Sequence, residues 1–326
     1  MTLNPASTFR SGARPCPAFL VVGAQRAGTT SLYMCLKEHP QLFLPRIKEP
    51  AFFAFHDGEI ASRYGRYLVN TPFVTDWQRY QELFAEAGPA RLTGECSPEY
   101  LFFHDKAIAT IRQHVADWQK LKIIAILRHP VDRALSHFQF VAQTCTEELD
   151  FLAALKAEDA RLAEGRYPMR YGYKTVGCYS RQLQAYVQTF SQVKVVLFED
   201  FVARPDLVLG EVYRFLGVDD SFRQELAVNN ASGVCRYPLL KPFYELLFGD
   251  DNLMRNAARH LLSDEARVRI RNHLFRWLSK NDRAMSRVAY EHLTAAFAFE
   301  LRALCALLDG LGVDYSSWTQ RHRLAA

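Results

Sequence analysis

The sequence predicts an α/β fold, a central parallel sheet flanked by helices with a helical C-terminal portion. Three observations carry this. Short apolar runs rich in Val, Leu and Ile (residues 19–22, 121–127 and 193–198) alternate with segments of helical periodicity. The first run breaks into a turn between Gly23 and Gly28 and then opens a helix. At 326 residues and 49% hydrophobic, the chain can bury a large core. The expected organisation is a single domain over 1–326, with 1–17 as a flexible N-terminal segment and 239–326 as the helical C-terminal part.

Taken in order, 19–22 reads as a buried strand, the turn follows, and an amphipathic helix runs over 29–39. Residues 41–44 suggest a short strand leading into a loop, Pro45-Arg46-Ile47-Lys48-Glu49-Pro50-Ala51-Phe52-Phe53. Trp77, Tyr80, Leu83 and Phe84 share one helix face and read as core. Residues 91–95 form a weaker strand ending in Cys96-Ser97-Pro98-Glu99-Tyr100. The strand over 121–127 ends at Arg128-His129-Pro130, where proline and Asp132 start a helix with Val131, Leu135, Phe138 and Ala142 inward. Residues 147–165 are polar and helical in pattern, 167–173 is a Gly/Tyr-rich loop, and 179–190 is a helix. A strand over 193–198 precedes a helix over 207–215 closed by Gly217. Beyond residue 239 only helical patterns occur, including a stripe of Leu293, Phe297, Leu301, Leu304 and Leu308.

The turn Gly23-Ala24-Gln25-Arg26-Ala27-Gly28-Thr29-Thr30 is a phosphate-binding loop by its physics: backbone N–H groups line it and a helix N-terminus points its partial positive charge at an anion. The glycine spacing is that of a Walker loop, which makes the sheet P-loop-type. Thr29-Thr30 stands where a nucleotidase has Lys-Ser/Thr, and the cation is Arg26 inside the turn. ATP or GTP hydrolysis is therefore disfavoured while an anionic phosphate ligand is retained. Arg128, leaving a strand, and Ser136, two turns into the next helix, can converge on one phosphate with a fork of donors and a hydroxyl. Sites in such sheets lie beyond the carboxyl ends of the strands, where Gly23, Glu95, Arg128 and Glu199 all fall.

Together these segments resemble the sulfotransferases that use 3′-phosphoadenosine 5′-phosphosulfate, of the bacterial type that is similar to the heparan sulfate and carbohydrate sulfotransferases. Their first loop has the form Gly-x-x-Lys/Arg-x-Gly-Thr-Thr/Ser, and their 3′-phosphate element the form Arg-x-Pro-x-x-Arg-x-x-Ser, matched here from Arg128 to Ser136. The resemblance covers residues 19–236 and returns in a Gly-x-Asp-x-Ser-x-Trp ending. It implies that Gln25, Arg26, Ala27, Gly28, Thr29 and Thr30 bind the 5′-phosphate end and that Arg128 and Ser136 bind the 3′-phosphate. It also implies that Arg236, in Asn230-Ala231-Ser232-Gly233-Val234-Cys235-Arg236, closes over the nucleotide, and that Tyr179, after Gly177, packs near the purine; a core tyrosine explains Tyr179 equally well. Lys48-Glu49-Pro50-Ala51-Phe52-Phe53 resembles the segment whose acidic residue is the general base, which assigns Glu49 to catalysis with Arg26 and Lys48 as charge-stabilising partners. Glu95 is a second candidate base. Cys96 stands where relatives often carry Lys.

The implied reaction is in-line sulfuryl transfer to a hydroxyl, or secondarily an amine, of a carbohydrate, lipid or small natural product. Adenosine 3′,5′-bisphosphate is the co-product, and no metal is expected. A nucleotide kinase and a non-catalytic nucleotide- or glycan-binding module remain as alternatives. The seven cysteines are scattered with no C-x-x-C pair, which suggests reduced thiols and a cytoplasmic address. No apolar run spans a bilayer and no secretory signal is seen. The net charge of +5 suits an anionic partner. Residues 255–287 concentrate arginines, either as a solvated helix face or as a surface for an acidic acceptor or a peripheral membrane contact; a homodimer also stays open. No nucleic-acid recognition motif accompanies them.

Overall fold

The alternation of side chains along β1 (Phe19–Gly23) fixes the architecture. Leu20 and Val22 enter one core and Phe19 and Val21 another, so neither face of the strand meets water. β4 (Lys122–Leu127) divides the same way, with Ile123, Ala125 and Leu127 on the first side and Ile124 and Ile126 on the second. With β2 (Leu42–Phe43), β3 (Leu92–Cys96) and β5 (Val193–Leu197) they form a parallel sheet in the order β2-β3-β1-β4-β5. The chain builds to one side of β1 and then crosses to the other, which leaves a crevice at the carboxyl end of the central strand. These features come from a computed structural model that describes residues 16–64, 73–88, 91–143, 147–224, 234–235, 279–280 and 285–323.

The described helices, in chain order, are α1 (Thr29–Glu38), α2 (Phe52–Phe55), α3 (Glu59–Tyr64), α4 (Trp77–Glu82), α5 (Glu99–Phe102), α6 (His104–His114) and α7 (Pro130–Gln143). They continue as α8 (Phe151–Ala163), α9 (Pro168–Tyr171), α10 (Tyr179–Thr189), α11 (Phe198–Ala203), α12 (Pro205–Leu216), α13 (Arg287–Gly310) and α14 (Ser316–Arg323). Leu32 and Leu36 of α1 and Val212 and Leu216 of α12 fill the core on one side of the sheet, and Tyr179, Leu183 and Tyr186 of α10 fill the other. A third cluster joins Val131 and Phe138 of α7 to Leu155 of α8 and to Leu293 and Phe297 of α13. The stripe expected on α13 is thus inward, with Leu301 packed at its margin. Asp150 and Ser286 cap α8 and α13 by accepting from the N–H groups of Ala153 and Ala289. Gly217 ends α12 in the left-handed conformation. No described helix is long and apolar enough to cross a membrane.

The structure departs from the sequence expectation in three segments. Residues 52–55 form a helical turn rather than loop, because Phe52, Phe53 and Phe55 are all buried and fold the chain back. The Gly/Tyr-rich segment contains α9, where Pro168 supplies the preset φ of a helix start. In the C-terminal part Ser279–Lys280 is extended and pairs antiparallel with Val234–Cys235, so that part is not wholly helical.

Glu199, at the carboxyl end of β5, fastens the crevice edge. Its Oε1 accepts from the N–H of His129 at 3.2 Å, and its Oε2 accepts from the Trp318 indole at 2.7 Å. One buried carboxylate thereby holds the turn after β4 and helix α14 together. Within the sheet, β1 and β3 approach closely at Gly94, where a Cβ would stand 2.2 Å from the Phe19 ring. Gly94→Ala is expected to lower the unfolding free energy by about 2 kcal/mol or more through overpacking. Denaturant unfolding followed by circular dichroism measures this, and a midpoint equal to wild type would refute it.

Candidate active site

The turn between β1 and α1 is shaped by two left-handed residues. Gly28 (φ 93°) is the N-cap of α1, and a Cβ there would lie 2.7 Å from the ring of Phe198. Arg26 has φ 67° without being glycine, a conformation that costs roughly 1–3 kcal/mol and persists only where its surroundings hold it. Its guanidinium sits 4.6 Å from the centre of the Phe140 ring, and its Nε donates to Ser136 Oγ at 3.4 Å. Ser136 and the loop, distant in sequence, therefore meet. Thr29 is buried and Thr30 exposed at the first turn of α1.

Arg128 follows β4 and stacks 4.8 Å over the same Phe198 ring that underlies Gly28. Three guanidinium groups thus gather at the loop. Burial, then the charges of Arg128 and Arg133, lower the Arg26 pKa to about 10. Arg133 is wholly buried, with its Nη1 3.3 Å from His137 Nδ1 and its Nη2 donating to the Tyr173 carbonyl. Burial, reinforced by Arg133 and Arg26, holds His137 well below the usual imidazole range, so it is neutral. Gln25 Nε2 donates to the Met169 carbonyl at 3.0 Å, and His137 Nε2 lies 3.0 Å from the same oxygen. Helix α9 is strapped to the phosphate loop in this way.

On the loop between β2 and α2, Lys48 and Glu49 form a half-buried ion pair. Glu49 (φ 61°) and Ala51 (φ 51°) are both left-handed. The Ala51 N–H donates to Ser97 Oγ at 3.0 Å, and Ser97 Oγ in turn donates to Glu95 Oε2 at 2.8 Å. Glu95 Oε1 accepts from Tyr100 at 2.6 Å and from Tyr80 at 3.2 Å. Desolvation pushes the Glu95 carboxyl up to about 7, although the hydroxyl donors pull it back. Cys96 is buried with its Sγ 3.6 Å from the Thr29 carbonyl, and burial pushes its thiol up to about 12. A thiol held protonated is no nucleophile at neutral pH.

Of the residues expected at the site, the 25–30 loop, Arg128 and Ser136 are together, and Lys48 and Glu49 pair on the loop before α2. Tyr179 is wholly buried within the core, where burial raises its phenol and Arg133 and Arg128 are the nearby cations. Arg236 and nearly all of residues 255–287 lie outside the described residues; Arg287 pairs with Glu291 at 2.8 Å. Among the described residues no three His, Cys, Asp or Glu side chains form a group that could hold a metal ion.

Three neighbours escaped sequence reasoning: Phe198 under the loop, Ser97 under Ala51, and Glu99. Glu99 is buried, its Oε2 has no hydrogen-bond partner among the described residues, and desolvation pushes it up to about 7 despite the charge of Lys48. Its only sequence signal is an acidic residue in the first turn after Pro98. Because the folded-state value lies above the reference of 4.5, the folded protein binds more protons, and this group's contribution to stability falls as pH rises from about 4.5 to about 7. Glu99→Gln is therefore expected to leave the thermal midpoint nearly unchanged at pH 5 and to raise it at pH 8.5, by at most about 3 kcal/mol in stability. Thermal melts of both proteins at the two pH values check the sign.

The sequence model of the Sulfotransferase family matches residues 17–222. Heparan sulfate glucosamine 3-O-sulfotransferase 3B1 of Mus musculus is 26% identical over 221 residues, 66% of this chain and 50% of that protein. The bifunctional heparan sulfate N-deacetylase/N-sulfotransferase 3 of Homo sapiens is 26% identical over 209 residues, 62% of this chain and 22% of that protein. The chain spans half or less of the length of these curated relatives. Among solved structures, the sulfotransferase from Alicyclobacillus acidocaldarius superposes with a TM-score of 0.67 at 26% identity, covering 94% of this chain and 99% of that one. A match that takes in the phosphate loop, the Arg128–Ser136 element and the whole parallel sheet shows that the chain belongs to the sulfotransferase family.

Proposed function

We propose that this protein transfers a sulfuryl group from 3′-phosphoadenosine 5′-phosphosulfate to a carbohydrate hydroxyl, with an amine, a lipid or a small natural product as further acceptor classes. The carrying observation is the cation cluster. Burial first, and then the charges of Arg128 and Arg133, depress the Arg26 pKa beside the N-terminus of α1, which is the electrostatic profile of a site suited to a multiply charged anion. A donor with phosphates at both ends of its ribose fits cations on both sides of the loop. The names of the relatives point to glycan hydroxyls and, in the N-sulfotransferase, to an amine.

In this reading the amides of residues 25–30 and the hydroxyls of Thr29 and Thr30 hold the 5′-phosphate, and Arg128 and Ser136 hold the 3′-phosphate. Arg26 is anchored by Phe140 and Ser136, and it neutralises charge developing on the bridging oxygen as the sulfuryl group departs. Glu49 takes the proton from the attacking hydroxyl, and Lys48 pairs with its carboxylate and holds it in place. Lys48 also supplies the positive charge that Cys96 does not. Direct in-line displacement needs positioning and electrostatics more than covalent help. A kinase reading fits less well, since the lysine of a Walker loop is absent.

Calorimetric titration of adenosine 3′,5′-bisphosphate, with ATP for comparison, tests the donor. Wild type is expected to favour the bisphosphate over ATP, and Arg128→Ala to weaken it by roughly 10–100-fold, the worth of a charge-assisted phosphate contact. A preference for ATP with magnesium would reject this reading. With heparan sulfate as the probe acceptor, Glu49→Gln is expected to lower kcat about 10²–10⁴-fold while leaving bisphosphate affinity intact. Wild-type turnover in that variant would remove Glu49 from the mechanism.

A further inference from the structure

Glu49 and Ala51 adopt left-handed backbone with no glycine to excuse it, and the segment is tied to the chain that follows β3. Two N–H groups of this stretch point at hydroxyls: Ala51 at Ser97 Oγ, 3.0 Å, and Phe53 at Tyr100 OH, 3.4 Å. A hydroxyl has one proton. Both hydroxyls give theirs to the same carboxylate, Ser97 to Glu95 Oε2 and Tyr100 to Glu95 Oε1. Each is thereby oriented with its lone pairs toward the backbone it accepts from.

We infer that Glu95 is a positioning residue for the general base, a buried carboxyl that orients Ser97 and Tyr100 so that they clamp the loop carrying Glu49. The inference rests on the assignment of Glu49 as the base, and it gives Glu95 a role other than proton abstraction from the acceptor. The clamp depends on charge state. As a carboxylate Glu95 accepts from three hydroxyls; once protonated it carries an O–H of its own. Where Ser97 or Tyr100 rotates to accept that proton, its lone pairs turn from the loop; Tyr80 is the acceptor that leaves the clamp intact. The groups facing this carboxylate are Tyr80 from α4, Tyr100 and Glu99 from α5, Tyr186 from α10, and Cys96 beside it on β3. Tyr80 donates to Glu95 and meets the 49–55 segment only through its ring, packed on Phe52 and Phe53, which Tyr80→Phe preserves; that makes it the control for the carboxyl.

The test uses Ser97→Ala, Tyr80→Phe, Glu95→Gln and Glu49→Gln in the full chain. Two readouts are taken: amide hydrogen exchange over residues 49–55, which needs no acceptor, and kcat with heparan sulfate as probe. Ser97→Ala removes one acceptor and leaves the carboxylate. It is expected to speed exchange in 49–55 about tenfold or more and to lower kcat by a similar factor, with bisphosphate affinity within about twofold of wild type. Tyr80→Phe deprives the carboxylate of a donor and is expected to shift the pH below which 49–55 loses protection upward, relative to wild type. Glu95→Gln is expected to loosen 49–55 at every pH; should it not fold, the other two variants carry the test. Wild-type exchange in Ser97→Ala, or a protection profile that Tyr80→Phe does not move, would overturn the clamp. Full turnover in Glu49→Gln would instead remove the base assignment, and the exchange data would still judge whether Glu95 holds the loop.

Discussion

Like charges do not gather without compensation, and the mutual influence of Arg26, Arg128 and Arg133 beside the turn between β1 and α1 is the constraint on which the rest of this structure turns. Guanidinium groups cannot shed their protons at neutral pH, so the protein must hold them by other means. It does so with aromatic faces and buried acceptors: Phe140 under Arg26, Phe198 under Arg128, and the Tyr173 carbonyl and His137 ring beside Arg133. A histidine can serve there because burial and the neighbouring arginines keep it neutral.

Carboxylates pose the complementary problem of being kept where water is scarce. Glu95 lies near the end of β3 and Glu99 opens α5, each close enough to feel a neighbouring charge, and both are pushed up to about 7 by desolvation. The two differ in their company. Hydroxyl donors surround Glu95, whereas one oxygen of Glu99 is orphaned among the described residues.

Much of this was legible in the chain because local physics determined it. The apolar runs that became β1, β4 and β5 needed no partner to be recognised, and the glycines at 23 and 28 marked the turn between β1 and α1. Arg128 and Ser136 were readable as a pair because strand end and helix periodicity set their separation. Other features were invisible, for a common reason. The burial of Arg133 and Tyr179, the ring of Phe198 under Gly28 and the hydroxyl of Ser97 under Ala51 are products of segments far apart in sequence. Nor does any propensity announce that Glu49 and Ala51 adopt positive φ, since neither is glycine and the tertiary contacts that hold them lie on β3 and α5. The helical turn at 52–55 escaped for the same reason, its phenylalanines being inward only once the sheet exists.

The Glu199 carboxylate joins residues 70 and 119 positions away along the chain. Closing loops of that length is entropically costly, and the β4–β5 pairing spans the same 70 positions as the link to His129. That link therefore closes as the sheet forms, whereas the link to Trp318 waits for α14 to reach the sheet. The edge that carries Arg128 is complete only when a helix from the far end of the described chain has docked on it.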